Sequence, residues 1–257
     1  MCSRSVVFKA GGGVGKSTLV NHWLAEMRRD NFRNASDIFG WSFYSQGVRA
    51  NGTASAEPFI DAALRFFGDA DPTLGSPWDK GARLANLVGA KRALLVLDGL
   101  EPLQSGDAFD RGKLRDPGVE SLLRRLGRES SGLCIVTTRE TVIDISGREG
   151  VVTLDLEQIS PEAGRALLRI QRVVGSDAEL EELATRFGPH ALAIRLLGVY
   201  LQEQPGHGVA NAEAIEKFPG DSPLEKVLAA FEHWLGESPE REILRLLGLF
   251  EDRKSVV

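Results

Sequence analysis

Two residue types with an obvious use for a phosphate, Lys16 and Ser17, close a run in which four of five residues are glycine, "AGGGVGKSTLV". Glycine permits backbone conformations that turn successive N–H groups inward as an anion nest. A helix starting near Gly15 would add the positive end of its dipole. The expected cradle is Gly12, Gly13, Val14, Gly15, Lys16, Ser17 and Thr18, with Lys16 as a mobile charge for the β- and γ-phosphates. The Ser17 hydroxyl is placed to ligate Mg²⁺. The template G-x-x-x-x-G-K-[ST] is missed at its first position, where Ala10 stands. That change leaves the donors nearest the phosphates intact. The bland reading is a surface turn with a chance Lys-Ser, and the flanking strand and helix patterns argue against it.

A second constellation lies in "RALLVLDGLEPL". Asp98 ends an apolar run, and ligands of open α/β sheets gather at such strand ends. A carboxylate there can hold Mg²⁺, as the Walker B aspartate does. Glu101 is the candidate to orient or activate an attacking water, although Gly99 stands where a second acid is usual. The alternatives are a helix-capping Asp98 and a surface Glu101.

These residues need a scaffold, and 257 residues suffice for one large domain or a main domain with a smaller companion. "SVVFKA", "DIFGWSFYSQG" (ending near Gln46), "RALLVLDG", "GLCIVTTRE" and "GVVTLDL" read as strands separated by helical segments, which predicts parallel crossover units with right-handed connections. Ser76-Pro77 reads as an N-cap and first helical residue. After about Ser160 the pattern is helical throughout, and three of the helices open with Ser-Pro or Ser-Asp.

Composition narrows the partners. Hydrophobic residues make up 42% and charged residues 26%, with a formal net charge of −5. The acidic balance disfavours nucleic acid, and the basic stretch Arg111–Arg128 reads as a solvated helix face. Two cysteines, Cys2 and Cys134, make no disulfide framework, and a buried free thiol at Cys134 fits a reducing cytoplasm. No apolar run reaches the length of a membrane span and no signal peptide is evident.

In order, "AGGGVGKSTLV", "DIFGWSFYSQG", "RALLVLDGLEPLQ", "GLCIVTTRE" and "RFGPHALAIRLLG" resemble the NB-ARC (AP-ATPase) branch of the STAND P-loop NTPases, in its bacterial form. The resemblance covers about Val6 to Phe250. It implies a three-layer α/β fold with five parallel strands in the order 2-3-4-1-5, followed by a helical subdomain. The implied domains are 1–157 for nucleotide binding, 158–236 for the helical part, and 237–257 for the start of a truncated winged-helix-like region. It also implies that "TTRE" delivers Thr138 and Arg139 towards the γ-phosphate, where a guanidinium can report on the terminal phosphate. Pro189 would correspond to a motif proline packing on adenine. Sensor and effector domains, and the diphosphate-reading histidine, are missing from the chain, which therefore looks like the engine of a larger switch.

The expected function is an ATP/ADP-binding, Mg²⁺-dependent signalling switch with slow hydrolysis. Its catalytic set is Lys16, Asp98, Glu101 and Arg139, with Ser17 and Asp98 on the metal. Nucleotide state would control conformation and oligomerisation, through self-association or attached effector and sensor domains. A small-molecule phosphotransferase and a non-hydrolysing ADP-binding module remain open alternatives, and a DNA-remodelling ATPase is disfavoured by the charge.

Overall fold

The computed structural model describes residues 4–44, 55–127, 130–156, 159–188 and 190–243. The apolar, β-branched runs of the first half form five strands: β1 (Ser5–Lys9), β2 (Asp37–Ser42), β3 (Ala93–Asp98), β4 (Leu133–Thr138) and β5 (Val151–Asp155). They make one sheet in the order β2-β3-β4-β1-β5, and every pairing is parallel. The order matches the expectation. β2 is shorter than expected: it ends at Ser42, and Gln46 lies outside the described residues.

Alternation along the central strands assigns the two faces of the sheet. Leu94, Val96 and Ile135 meet Val20, Trp23 and Leu24 of α1 (Lys16–Arg29) on one side. Leu95, Leu97, Cys134 and Val136 point the other way. There they pack with α2 (Glu57–Phe67), α3 (Pro77–Ala90) and α4 (Pro117–Leu126), through Phe59, Leu64, Leu84, Val88, Leu122 and Leu126. Helices on both faces give the three layers.

Local chemistry starts these helices where the sequence places it. The Ser76 hydroxyl accepts from the Asp79 amide, and the Asp79 carboxylate returns a bond to the Ser76 amide, with Pro77 in the first turn. Asp116 caps α4 through the amides of Gly118 and Val119, and its second oxygen accepts from Ala56 N at 3.0 Å, tying the starts of α2 and α4 together. The basic stretch before and along α4 is largely paired: Arg111 with Glu140, Arg115 with Asp107, and Arg124 with Glu120 and Asp144. Arg128 lies outside the described residues.

The chain divides into two compact units, Met1–Glu157 and Gln158–Val257. The second is helical: α5 (Pro161–Ile170), α6 (Asp177–Arg186), α7 (Ala191–Glu203) and α8 (Pro223–Leu235). Ser160, Ser176 and Ser222 cap three of them through their hydroxyls. Its core joins Leu168, Leu180, Phe187, Ile194, Leu197, Leu201 and Val227. A 3₁₀ stretch, Val209–Lys217, links α7 to α8 and was not expected from the sequence. Residues 239–243 begin one more helical turn, and 244–257 lie outside the described residues. Among the described residues no helix is long and apolar enough to cross a membrane.

Candidate functional site

The carboxyl ends of β1, β3 and β4 lie side by side, and the residues singled out for phosphate chemistry leave the sheet there. After Lys9 the chain turns through the glycine run into α1. Gly13 (φ 73°) and Gly15 (φ 102°) adopt the left-handed region that favours glycine, and Gly15 forms the N-cap of α1. Lys16 is therefore the first helical residue, and Ser17 and Thr18 follow in the first turn.

The Lys16 ammonium folds back over the loop, donating to the carbonyl oxygens of Ala10 at 2.7 Å and Gly11 at 2.9 Å. Only 8% of the residue is exposed. Burial holds its pKa below the usual lysine value, opposed by the negative charges of Glu101 and Asp98 and reinforced by Arg139. The ammonium thus feels each of the other three residues placed in the catalytic set.

The Ser17 hydroxyl donates to Asp98 Oδ1 at 2.7 Å, although 81 positions separate them. Thr137 Oγ1 donates to the same oxygen, also at 2.7 Å, and accepts from Gly99 N at 2.8 Å. Two hydroxyls so fix the Asp98 carboxylate through one of its oxygens, and its other oxygen accepts neither. Oxygen donors in this arrangement, a hydroxyl and a carboxylate in contact, suit a hard divalent cation such as Mg²⁺. The residues present fit the ion expected from the sequence.

Glu101 begins a short 3₁₀ turn, Glu101–Leu103, just beyond β3. Its Oε2 accepts from the Tyr44 hydroxyl at 2.6 Å. Its Oε1 is buried, has no hydrogen-bond partner among the described residues, and lies 3.9 Å from Arg139 Nε. The Arg139 guanidinium also borders the glycine loop, where a Cβ on Gly12 would stand 3.3 Å from Arg139 Cζ. Arg139 is half exposed and touches both the loop and the candidate base.

Thr138 does not turn towards the loop. It is fully buried, donates to Gln104 Oε1 at 2.5 Å, and accepts from Glu140 N at 3.2 Å. Consecutive strand residues face opposite ways, so Thr137 takes the position at Asp98 and Thr138 anchors the segment behind it. Gln104 in turn donates to Gly112 O at 2.9 Å. Tyr44 and Thr137 are the site residues that sequence reasoning passed over. Pro189 lies outside the described residues.

Five parallel strands in this order, helices on both faces, and a glycine loop running from the first strand into the first helix define the P-loop NTPase fold. A solved structure agrees on the architecture. The structure of a STAND protein with a tetratricopeptide-repeat sensor from Pyrococcus horikoshii matches with a TM-score of 0.53 at 20% identity, over 77% of this chain. The chain spans only 28% of that protein's length. Weaker likenesses are to a Walker-type ATPase of Pyrococcus abyssi (TM-score 0.49, 15% identity, 83% of this chain and 67% of that one) and to the Aeropyrum pernix ORC1 protein in complex with DNA (0.48, 18%, 90% and 60%). No family model and no curated protein matches the chain.

Proposed function

We propose that this chain binds ATP and Mg²⁺ at the glycine loop and hydrolyses ATP slowly, as the nucleotide-reading part of a STAND-type signalling switch. The observation that carries the proposal is the 2.7 Å contact of Ser17 with Asp98, which joins the phosphate loop to the acidic strand end. Gly12, Gly13, Val14 and Gly15 would offer main-chain amides to the triphosphate, with Lys16 and Thr18 beside them. Ser17 and Asp98 would hold the ion. A magnesium ion supplies charge neutralisation on the phosphate oxygens. Glu101 would orient water through Oε1, the oxygen without a hydrogen-bond partner among the described residues, 3.9 Å from Arg139 Nε. Arg139, between loop and base, would register the terminal phosphate.

The switch role is supported by the order of the five sequence motifs and by the architecture shared with a STAND protein. In this reading residues 1–157 bind nucleotide, 158–236 form the helical part, and 237–257 begin a further region. Loss of the γ-phosphate would release Lys16 and Arg139, and the difference in affinity between the two conformations would drive the change. Self-association or effector and sensor domains would convert it into output.

The test is calorimetric titration with ATP in Mg²⁺, using Lys16→Ala as control, combined with phosphate release above a Glu101→Gln control. Binding lost in Lys16→Ala and release lost in Glu101→Gln are expected. Equal ATP binding by the wild type and Lys16→Ala would remove Lys16 from the site. Binding without release would leave an ADP- or ATP-holding module. A phosphorylated metabolite in place of free phosphate would indicate a phosphotransferase.

A further inference from the structure

We infer that Tyr44 is the positioning residue for Glu101, clamping one carboxylate oxygen so that the other alone is presented to water. The inference rests on the proposed ATP hydrolysis and adds Tyr44, which lies in the "DIFGWSFYSQG" motif but outside the expected catalytic set. Tyr44 follows β2, whose register places Ser42 beside Asp98 on β3, so the chain leaving β2 runs past the start of the Glu101 turn. The phenol donates to Glu101 Oε2 at 2.6 Å, a short bond to an ionised acceptor. The ring lies across Gly99, where a Cβ would stand 2.1 Å from Tyr44 Cε2. Gly99 has φ 71°, so both its conformation and its missing side chain make room for the ring.

The two oxygens of Glu101 consequently differ. Oε2 is occupied by the phenol, whereas Oε1 is buried and without a hydrogen-bond partner among the described residues. A buried carboxylate oxygen left in that state is costly unless something arrives to use it, and Oε1 is the oxygen on the Arg139 side. A water donating to Oε1 would meet an acceptor whose rotation is already stopped by the Tyr44 bond. Burial, then the hydrogen bond to Glu101 and its charge, push the phenol pKa above its ordinary value against the opposing Arg139, which is consistent with the phenol acting as the donor in the bond the geometry shows. The clamp also accounts for glycine following the strand-end aspartate: a second acidic side chain there would occupy the space of the ring.

Two measurements on the full chain test this. The first needs no nucleotide. The protein contains two tyrosines, and [¹³Cζ]tyrosine labelling at neutral pH gives one resonance each, with Tyr44 assigned through Tyr44→Phe. Glu101→Ala should move the Tyr44 resonance and leave that of Tyr200 in place; an unmoved Tyr44 resonance would overturn the clamp. The second is steady-state hydrolysis by Tyr44→Phe, which keeps the ring over Gly99 and removes only the donor. kcat should fall about tenfold at unchanged KM, and combining it with Glu101→Gln should cost no more than Glu101→Gln alone. Wild-type or faster turnover by Tyr44→Phe would overturn the inference, the faster case showing that Tyr44 restrains Glu101. Absence of hydrolysis in the wild type, with the resonance shift present, would bring down the hydrolytic reading and the positioning role with it. Hydrolysis with no resonance shift would bring down the clamp alone.

Discussion

Tyr44 and Gly99 share one volume: the ring occupies the space that any side chain on residue 99 would fill. The first prediction follows directly. Gly99→Ala must displace the ring or distort a backbone held at φ 71°, at a cost of about 1–3 kcal/mol. Urea unfolding would measure it. Tyr44→Ala in the same chain should recover the steric part, so the double variant should be less destabilised than the sum of the two singles. Strict additivity would show that the two residues do not compete.

Ser17→Ala removes one of the two hydroxyls on Asp98 Oδ1 and a proposed ligand of the ion. ATP affinity in Mg²⁺ should fall about 10–100-fold, while affinity in EDTA should hardly change. Calorimetry in the two buffers separates them. An equal loss in both would assign Ser17 to the phosphates instead.

The neighbouring threonines should part company. Thr137→Val strips a donor from Asp98 and an acceptor from Gly99 N. It should weaken Mg²⁺–ATP binding by about tenfold, the scale of a bond to a charged group. Thr138→Val leaves Gln104 Oε1 short of a partner in the interior and should cost ~1–3 kcal/mol of stability, with nucleotide affinity nearly intact. Denaturant titrations and calorimetry on both variants distinguish the two outcomes.

Cys134 supplies a pH dependence. It is a free, buried cysteine, and burial pushes its thiol up to about 12 from its ordinary value of 9.0. Above pH 9.0 the unfolded chain releases this proton and the folded chain keeps it, so the native state binds more protons and its stability falls with rising pH. The contribution is fully present below the unfolded value and is lost between 9.0 and about 12, at up to about 1.4 kcal/mol per pH unit. Unfolding measured from pH 8 upward should decline less steeply in Cys134→Ala. Parallel declines would show that the thiol already ionises in the folded protein.

Much of the scaffold is written in local chemistry. Ser76-Pro77, Ser160-Pro161 and Ser222-Pro223 mark helix starts because a hydroxyl cap and a proline in the first turn act over four residues. The loop from Gly11 to Ser17 is equally legible, since few other uses explain glycine in that density beside a lysine. Tyr44 was not, because its bond to Glu101 spans 57 positions and exists only once β2 lies in register with β3. Gly99 was the available clue: an acid missing beside a strand-end aspartate marks a place where something else must fit. Thr138 was preferred over Thr137 through resemblance, where strand alternation decides which of the pair faces Asp98. The 3₁₀ stretch Val209–Lys217 carries no helical spacing strong enough to announce itself.

Because Lys16 holds the carbonyls of Ala10 and Gly11, phosphate capture in the proposed function would be an exchange rather than an addition. An arriving anion has to outbid two oxygens of the protein's own main chain for the same ammonium. The heat released on capture should therefore be smaller than a bare cation–phosphate contact implies. As it stands, the lysine is an internal strut that ties the start of the glycine run to the first turn of α1.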